Sequence, residues 1–260
     1  MSKAKILLLD IETAPILSYV WGIWDQNVGL NQISKDSHIL SWAAKWHDPE
    51  GKINYPMLYA DQRAAKDIEN EKEMLKGMWS LLDAADIVIT QNGKRFDIKR
   101  LNARFMIHGM GRPSNYRQID TLQEAKKHFA FTSNKLEYLA KILKCESKKL
   151  TKRKFAGFEL WTECLVGNKE AWKEMEKYNK QDVTVLEEVY IKLRPWIDVI
   201  NFSVFHGENV CSCGSKHFIS KGVHATNSGI FKRFKCKACG KPSYEKQNLL
   251  TPEKRKSLRK

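Results

Sequence analysis

The chain has 260 residues, 42% of them hydrophobic, which is ordinary for a globular protein and enough for one sizeable domain plus a small appendage. Its net charge of +15 is not ordinary and points to a polyanionic partner. No run of 18 apolar residues is present, so no membrane span is expected. The opening MSKAKILLLD is too short and too quickly acidic for a signal peptide, and the cytosol, or a host cytosol, is the expected compartment.

In chain order, Lys5 to Leu9 reads as a buried strand that runs into Asp10-Ile11-Glu12. Ile16–Asp25 and His38–Asp48 are rich in aromatic and β-branched residues and predict two more strands, with KINYPMLYA a further one. In this reading Trp21, Trp24, Trp42 and Trp46 are sheet core, as are Ile16 and Leu17. Asp67 to Ala84 has helical spacing through Met74, Leu75, Met78, Trp79, Leu81 and Leu82. Asp86–Gly93 is a short strand running into a turn, and Phe96 to His108 returns to helix. Ile119-Asp120-Thr121 is a strand end with a capping residue for the next helix. Helices follow over Ser133–Leu143 and Glu170–Leu193, the second ending before Pro195. Strands first, then strands alternating with helices, predict an α/β layer fold with a mixed sheet.

The charge is uneven. Residues 201–260 carry 13 Lys/Arg against 3 Asp/Glu, a net of +10. The basic stretch Lys144–Lys154 reads as a solvated loop. The expected organisation is a domain over 1–198, a small cysteine-bearing domain over 199–250, and a basic, disordered tail over 251–260.

Residues i and i+2 of a strand share a face. Asp10 and Glu12 therefore project together, about 7 Å apart along an extended backbone. Like charges so close repel unless a cation sits between them, and hard divalent cations prefer oxygen ligands. Asp97 opens a helix, where a carboxylate suits the macrodipole. Tyr178 and Asp182, four apart on a long helix, share a face.

Together and in this order, these pieces resemble the DEDDy 3′–5′ exonucleases of the RNase H-like superfamily, which include the proofreading domains of replicative DNA polymerases. Asp10-Ile11-Glu12-Thr13 is similar to the first family motif. Asn92 to Asp97 is similar to the second, with three residues between Asn92 and Phe96, and Tyr178 to Asp182 to the third. IDTL and SNKLEYLAKIL resemble the intervening strand and helices, and the likeness covers roughly residues 4–196. It implies an RNase H-like mixed sheet flanked by helices. It also implies a free-standing, metal-dependent 3′–5′ exonuclease with two Mg²⁺ or Mn²⁺ ions, acting most readily on single-stranded DNA. Asp10 would bridge both ions, Glu12 and Asp182 would complete one site, and Asp97 would support the other. Tyr178 would orient the attacking water, and Asn92 would serve the substrate or the turn. The same site would also suit RNA or a structured substrate cut internally, and a silent binding adaptor is the alternative class.

Cys211 and Cys213 are separated by one residue and Cys236 and Cys239 by two, which resembles a zinc ribbon holding one structural Zn²⁺. The first knuckle is one residue short of the usual pattern, leaving His206, His217 or His224 as a substitute ligand. Lys232, Arg233 and Lys235, interleaved with Phe231 and Phe234, suit a nucleic-acid clamp, with DNA the favoured partner.

Overall fold

The computed structural model describes residues 3–148, 150 and 154–258. The chain divides into two compact units. One comprises Lys5–His47 and Asn54–Tyr190, the other Met1–Ala4, Asp48–Ile53 and Ile191–Lys260.

The first unit contains β1 (Ile6–Thr13), β2 (Leu17–Ser18), β3 (Ile33–Lys35), β4 (Ile39–His47), β5 (Met57–Asp61), α1 (Lys72–Ala84), β6 (Ile87–Thr90) and α2 (Asp97–Ile107). It continues with β7 (Arg117–Asp120), α3 (Thr121–His128), α4 (Leu136–Ile142), α5 (Glu159–Leu165) and α6 (Lys169–Leu193) as far as Tyr190. Five strands form one mixed sheet in the order β5-β4-β1-β6-β7. β1 lies at its centre, antiparallel to β4 and parallel to β6. That position explains three successive leucines: Leu7, Leu8 and Leu9 are buried on both faces, as a strand covered on two sides requires. Leu7, Leu9 and Ile11 pack with Trp42, Leu75, Met78, Leu82, Leu101 and Phe105, so α1 and α2 cover one face. A second cluster gathers Ala14, Leu40, Phe155, Leu160, Trp172 and Met175. A mixed α/β sheet flanked by helices is the architecture the sequence predicts.

Three expectations need correction. Ile16–Asp25 is not a sheet strand. Only Leu17–Ser18 is extended, paired with β3 apart from the main sheet. Trp21 is fully exposed, Trp24 nearly so, and Ile16 and Leu17 are exposed too. Apolar composition predicts a strand, but among the described residues β3 pairs with only two residues of this segment and leaves its large apolar side chains exposed. Trp42 is buried on β4 and Trp46 is half-buried, as expected. The helix expected from Asp67 begins at Lys72, because Asp67–Asn70 closes a turn first. The tail is not structureless: α8 (Pro252–Ser257) has Pro252 in its first turn, and Thr251 accepts the Lys254 N–H at 3.3 Å. Within the basic stretch Lys144–Lys154, residues 149 and 151–153 lie outside the described residues.

The second unit contains α7 (Ser203–His206) and an antiparallel sheet, β10-β9-β8, made of β8 (Phe218–Thr226), β9 (Gly229–Cys236) and β10 (Pro242–Asn248). Its cysteine core is small: Cys211, Cys213 and Cys236, with Phe218 and Cys239 packed against them. A piece this poor in apolar burial needs another source of folding free energy. Among the described residues, no helix is long and apolar enough to cross a membrane.

Candidate active site

Asp10 and Glu12 leave the central strand on one side, opposite Ala43 and Ser41 of β4. α6 brings Asp182 to them from 170 residues further along the chain. Ligand oxygens of Asp10, Glu12 and Asp182 all lie within 4.8 Å of one another. Three carboxylates this close repel in the absence of a cation. Oxygens on opposite sides of an octahedral Mg²⁺ stand about 4.2 Å apart, so small side-chain rotations would close the trio on such an ion. All-oxygen donors fit Mg²⁺ or Mn²⁺ better than a soft metal.

The sequence reading missed Asn179. Fully buried, it lies one residue after Tyr178 on α6. Its side-chain amide donates to Asp10 Oδ2 at 2.7 Å, and its Oδ1 accepts the Ser41 hydroxyl at 3.1 Å. A carboxylate can only accept here, so the amide has one sensible orientation. Asn179 therefore fixes the Asp10 carboxylate on the strand. An asparagine inside a helix gives no such signal from sequence alone; only its buried partners do.

Asp97 is not one of the three converging acids. It opens α2, is 3% exposed, and accepts the Ile11 N–H at 3.2 Å, next to both strand carboxylates in sequence. Burial raises its carboxyl to about 7, overcoming backbone hydrogen bonds, with the nearby Asp120 adding to the rise. The turn that delivers it is built tightly. Asn92 adopts a left-handed φ of 65°, which asparagine tolerates, so its turn role is the one the geometry displays. Gly93 is required there because a Cβ would fall 2.3 Å from Thr90 Oγ1. Asp120 clamps the turn, accepting the Asn92 N–H at 2.9 Å and the Lys94 N–H at 3.2 Å, while also capping α3. The sequence pointed to the cap but not to the clamp. Phe96 stands partly exposed beside the Arg100 guanidinium, 5.8 Å from its ring.

Tyr178 is half-buried, with Trp161 edge-on at 5.8 Å. Trp161 and Phe158 from the α5 region, with Thr13 at the end of β1 and Pro15 after it, line an apolar pocket of about 340 Å³. It starts one residue beyond Glu12. No sequence motif marked α5; its place beside β1 is a tertiary fact.

In the second unit, sulfurs of Cys211, Cys213, Cys236 and Cys239 all lie within 4.8 Å of one another, and among the described residues no histidine shares the cluster. Cys211–Cys239 is 3.5 Å and Cys213–Cys236 is 3.7 Å. Four thiolates about 2.3 Å from a tetrahedral Zn²⁺ stand about 3.8 Å apart, so the cluster fits that ion. Burial pushes the Cys211 and Cys213 thiols up. Burial opposes ionisation at Cys236 also, but N–H donors from Cys239 and Ala238 outweigh it and bring that thiol down to about 7. The shorter first knuckle closes without strain. The Gly214 N–H reaches the Cys211 carbonyl, while the longer knuckle uses the Gly240 N–H on Cys236, each at about 3 Å. Gly214 has φ of +79°, and a Cβ there would collide with Glu50, so no other residue suits it.

The structure separates the three basic residues chosen from sequence. β9 alternates, so Arg233 and Lys235 share one face with Phe231, while Lys232 lies on the other, with Glu245 at 3.9 Å.

A sheet of this topology with acids at the end of its central strand is that of an RNase H-like fold. The chain belongs to the RNase H superfamily, whose family model matches residues 49–194. The matched span holds Asp97, Tyr178 and Asp182 but not Asp10 or Glu12. No curated protein matches the sequence. Among solved structures, a family B DNA polymerase from the hyperthermophilic archaeon Pyrobaculum calidifontis is similar at 12% identity and a TM-score of 0.47. The alignment covers 78% of this chain and 27% of that one.

Proposed function

We propose that the protein is a metal-dependent 3′–5′ exonuclease of the DEDDy type, acting on single-stranded DNA. The observation that carries this reading is the convergence of Asp10, Glu12 and Asp182, with Tyr178 one helical turn from Asp182 on the same face. Asp10, Glu12 and Asp182, with Asp97 against the β1 backbone at the Ile11 N–H, would hold two divalent cations. Such ions supply an acidified water and charge neutralisation at a phosphodiester. Asn179 holds the Asp10 carboxylate in place. Tyr178, braced by Trp161, orients the attacking water through its hydroxyl. The apolar pocket of Thr13, Pro15, Phe158 and Trp161 has the size and lining to take a nucleobase, seating the terminal nucleotide beside the carboxylates. The cysteine unit, holding one Zn²⁺, adds phosphate contacts that raise affinity without reading sequence.

The test is a time course on 5′-labelled single-stranded DNA with Mg²⁺ or Mn²⁺. The expected result is a ladder shortening one nucleotide at a time from the 3′ end, absent with Asp10→Ala although binding persists. Fragments cut internally, or full activity of Asp10→Ala, would overturn the reading. The same course on RNA decides the sugar preference.

A further inference from the structure

We infer that one face of the β8–β9–β10 sheet is a base-stacking surface for unpaired nucleic acid, and that the opposite face takes no part. This rests on the reading of the cysteine unit as a nucleic-acid arm. The two faces follow from strand register. His224 pairs with Phe231, and Arg233 with Tyr244, so these four side chains emerge on one side. Their rings meet: His224 stacks on Tyr244 at 4.9 Å between centroids and 26° between planes, and Phe231 lies 6.1 Å from Tyr244. Tyr244 is nonetheless 61% exposed. An aromatic group that is assembled but left facing water offers a π-surface to another ring.

Charge on this face is of one sign. Arg233 is held in place by donating twice to the Lys221 carbonyl, at 3.1 and 2.8 Å, so its guanidinium is pre-positioned. Lys235 follows two residues later on the same side. On the other face Lys232 sits near Glu245, which offsets its charge. A fixed guanidinium and a neighbouring lysine beside an exposed ring complement a phosphate backbone with accessible bases. Duplex DNA buries its bases in the stack and would offer Tyr244 no ring to stack on, so the occupant is a single strand.

The test uses the full chain carrying Asp10→Asn to prevent cleavage, with zinc bound, and measures affinity for a fluorescent oligothymidylate and for a duplex by polarisation. Tyr244→Ala is expected to weaken single-strand binding about tenfold, and Tyr244→Phe to restore it. Arg233→Gln with Lys235→Gln should flatten the slope of log affinity against log salt by about 1.4, as expected for two phosphate contacts to a single strand. Lys232→Gln should change affinity less than about twofold. If Lys232→Gln weakens binding and Tyr244→Ala does not, the face is wrong while the arm survives. If none of these changes matters, the cysteine unit is not the arm at all, and the inference falls with that reading. A Tyr244→Ala loss equal on duplex and single strand would overturn base stacking.

Discussion

Asp97→Asn is expected to make the metal-free protein more stable at neutral pH. Asp97 has almost no exposure and its carboxyl sits at about 7, against an ordinary value of 3.8, chiefly because burial disfavours its charge. The native state therefore holds this proton up to pH about 7, while the unfolded chain releases it near 3.8. Between those values the native state binds more protons, so stability falls as pH rises through the window. The full penalty, present above pH 7, is about 4 kcal/mol if burial stays as tight in solution and about 2 kcal/mol with modest relaxation. Asparagine has no charge to bury, and its side-chain oxygen can still accept the Ile11 N–H. Urea unfolding of wild type and variant, without added divalent cation, should give equal stability near pH 3.8 and a widening advantage for the variant up to pH 7. Added Mg²⁺ should then stabilise wild type more than the variant and narrow the gap. Parallel stability curves across pH 4–8 would refute the argument, since they would mean that the Asp97 charge is solvated despite its burial.

Three further outcomes are expected. Asn179→Ala removes the donor that fixes Asp10 and should cost about 10–100-fold in activity. The loss should shrink at high Mg²⁺, and a loss insensitive to Mg²⁺ would point to misfolding instead. Cys236→Ser should lower bound zinc from one ion per chain to well below one, measured by elemental analysis, and should melt the second unit before the first, because metal binding there is folding free energy. Glu71 is fully buried against the Arg104 guanidinium, with His108 Nε2 at 3.0 Å. Glu71→Ala leaves the Arg104 guanidinium, 13% exposed, without that carboxylate and should cost about 3–5 kcal/mol in chemical denaturation; a change below about 1 kcal/mol would show that water replaces the contact.

The central strand, the acids at its end, the mixed sheet, the Tyr178–Asp182 helix face and the four-cysteine constellation were all legible in the sequence. Each is written locally, in a run of leucines, a two-residue or four-residue spacing, or a paired knuckle, and local spacing survives in one dimension. Ile16–Asp25 was misjudged because composition records that a segment is apolar but not whether anything packs on it. Asn179 and the Asp120 clamp escaped notice because a buried polar side chain is defined by partners far along the chain, at Asp10 and Ser41 for one and at Asn92 and Lys94 for the other. Lys232 was grouped with Arg233 and Lys235, where strand alternation sends neighbours to opposite faces. That Asp182 meets Asp10, that Asp97 is buried against the Ile11 N–H, and that Trp161 lines a pocket with Thr13 and Pro15 became visible only in three dimensions. Those are distances between elements, and they exist only once hydrophobic burial has brought the elements together.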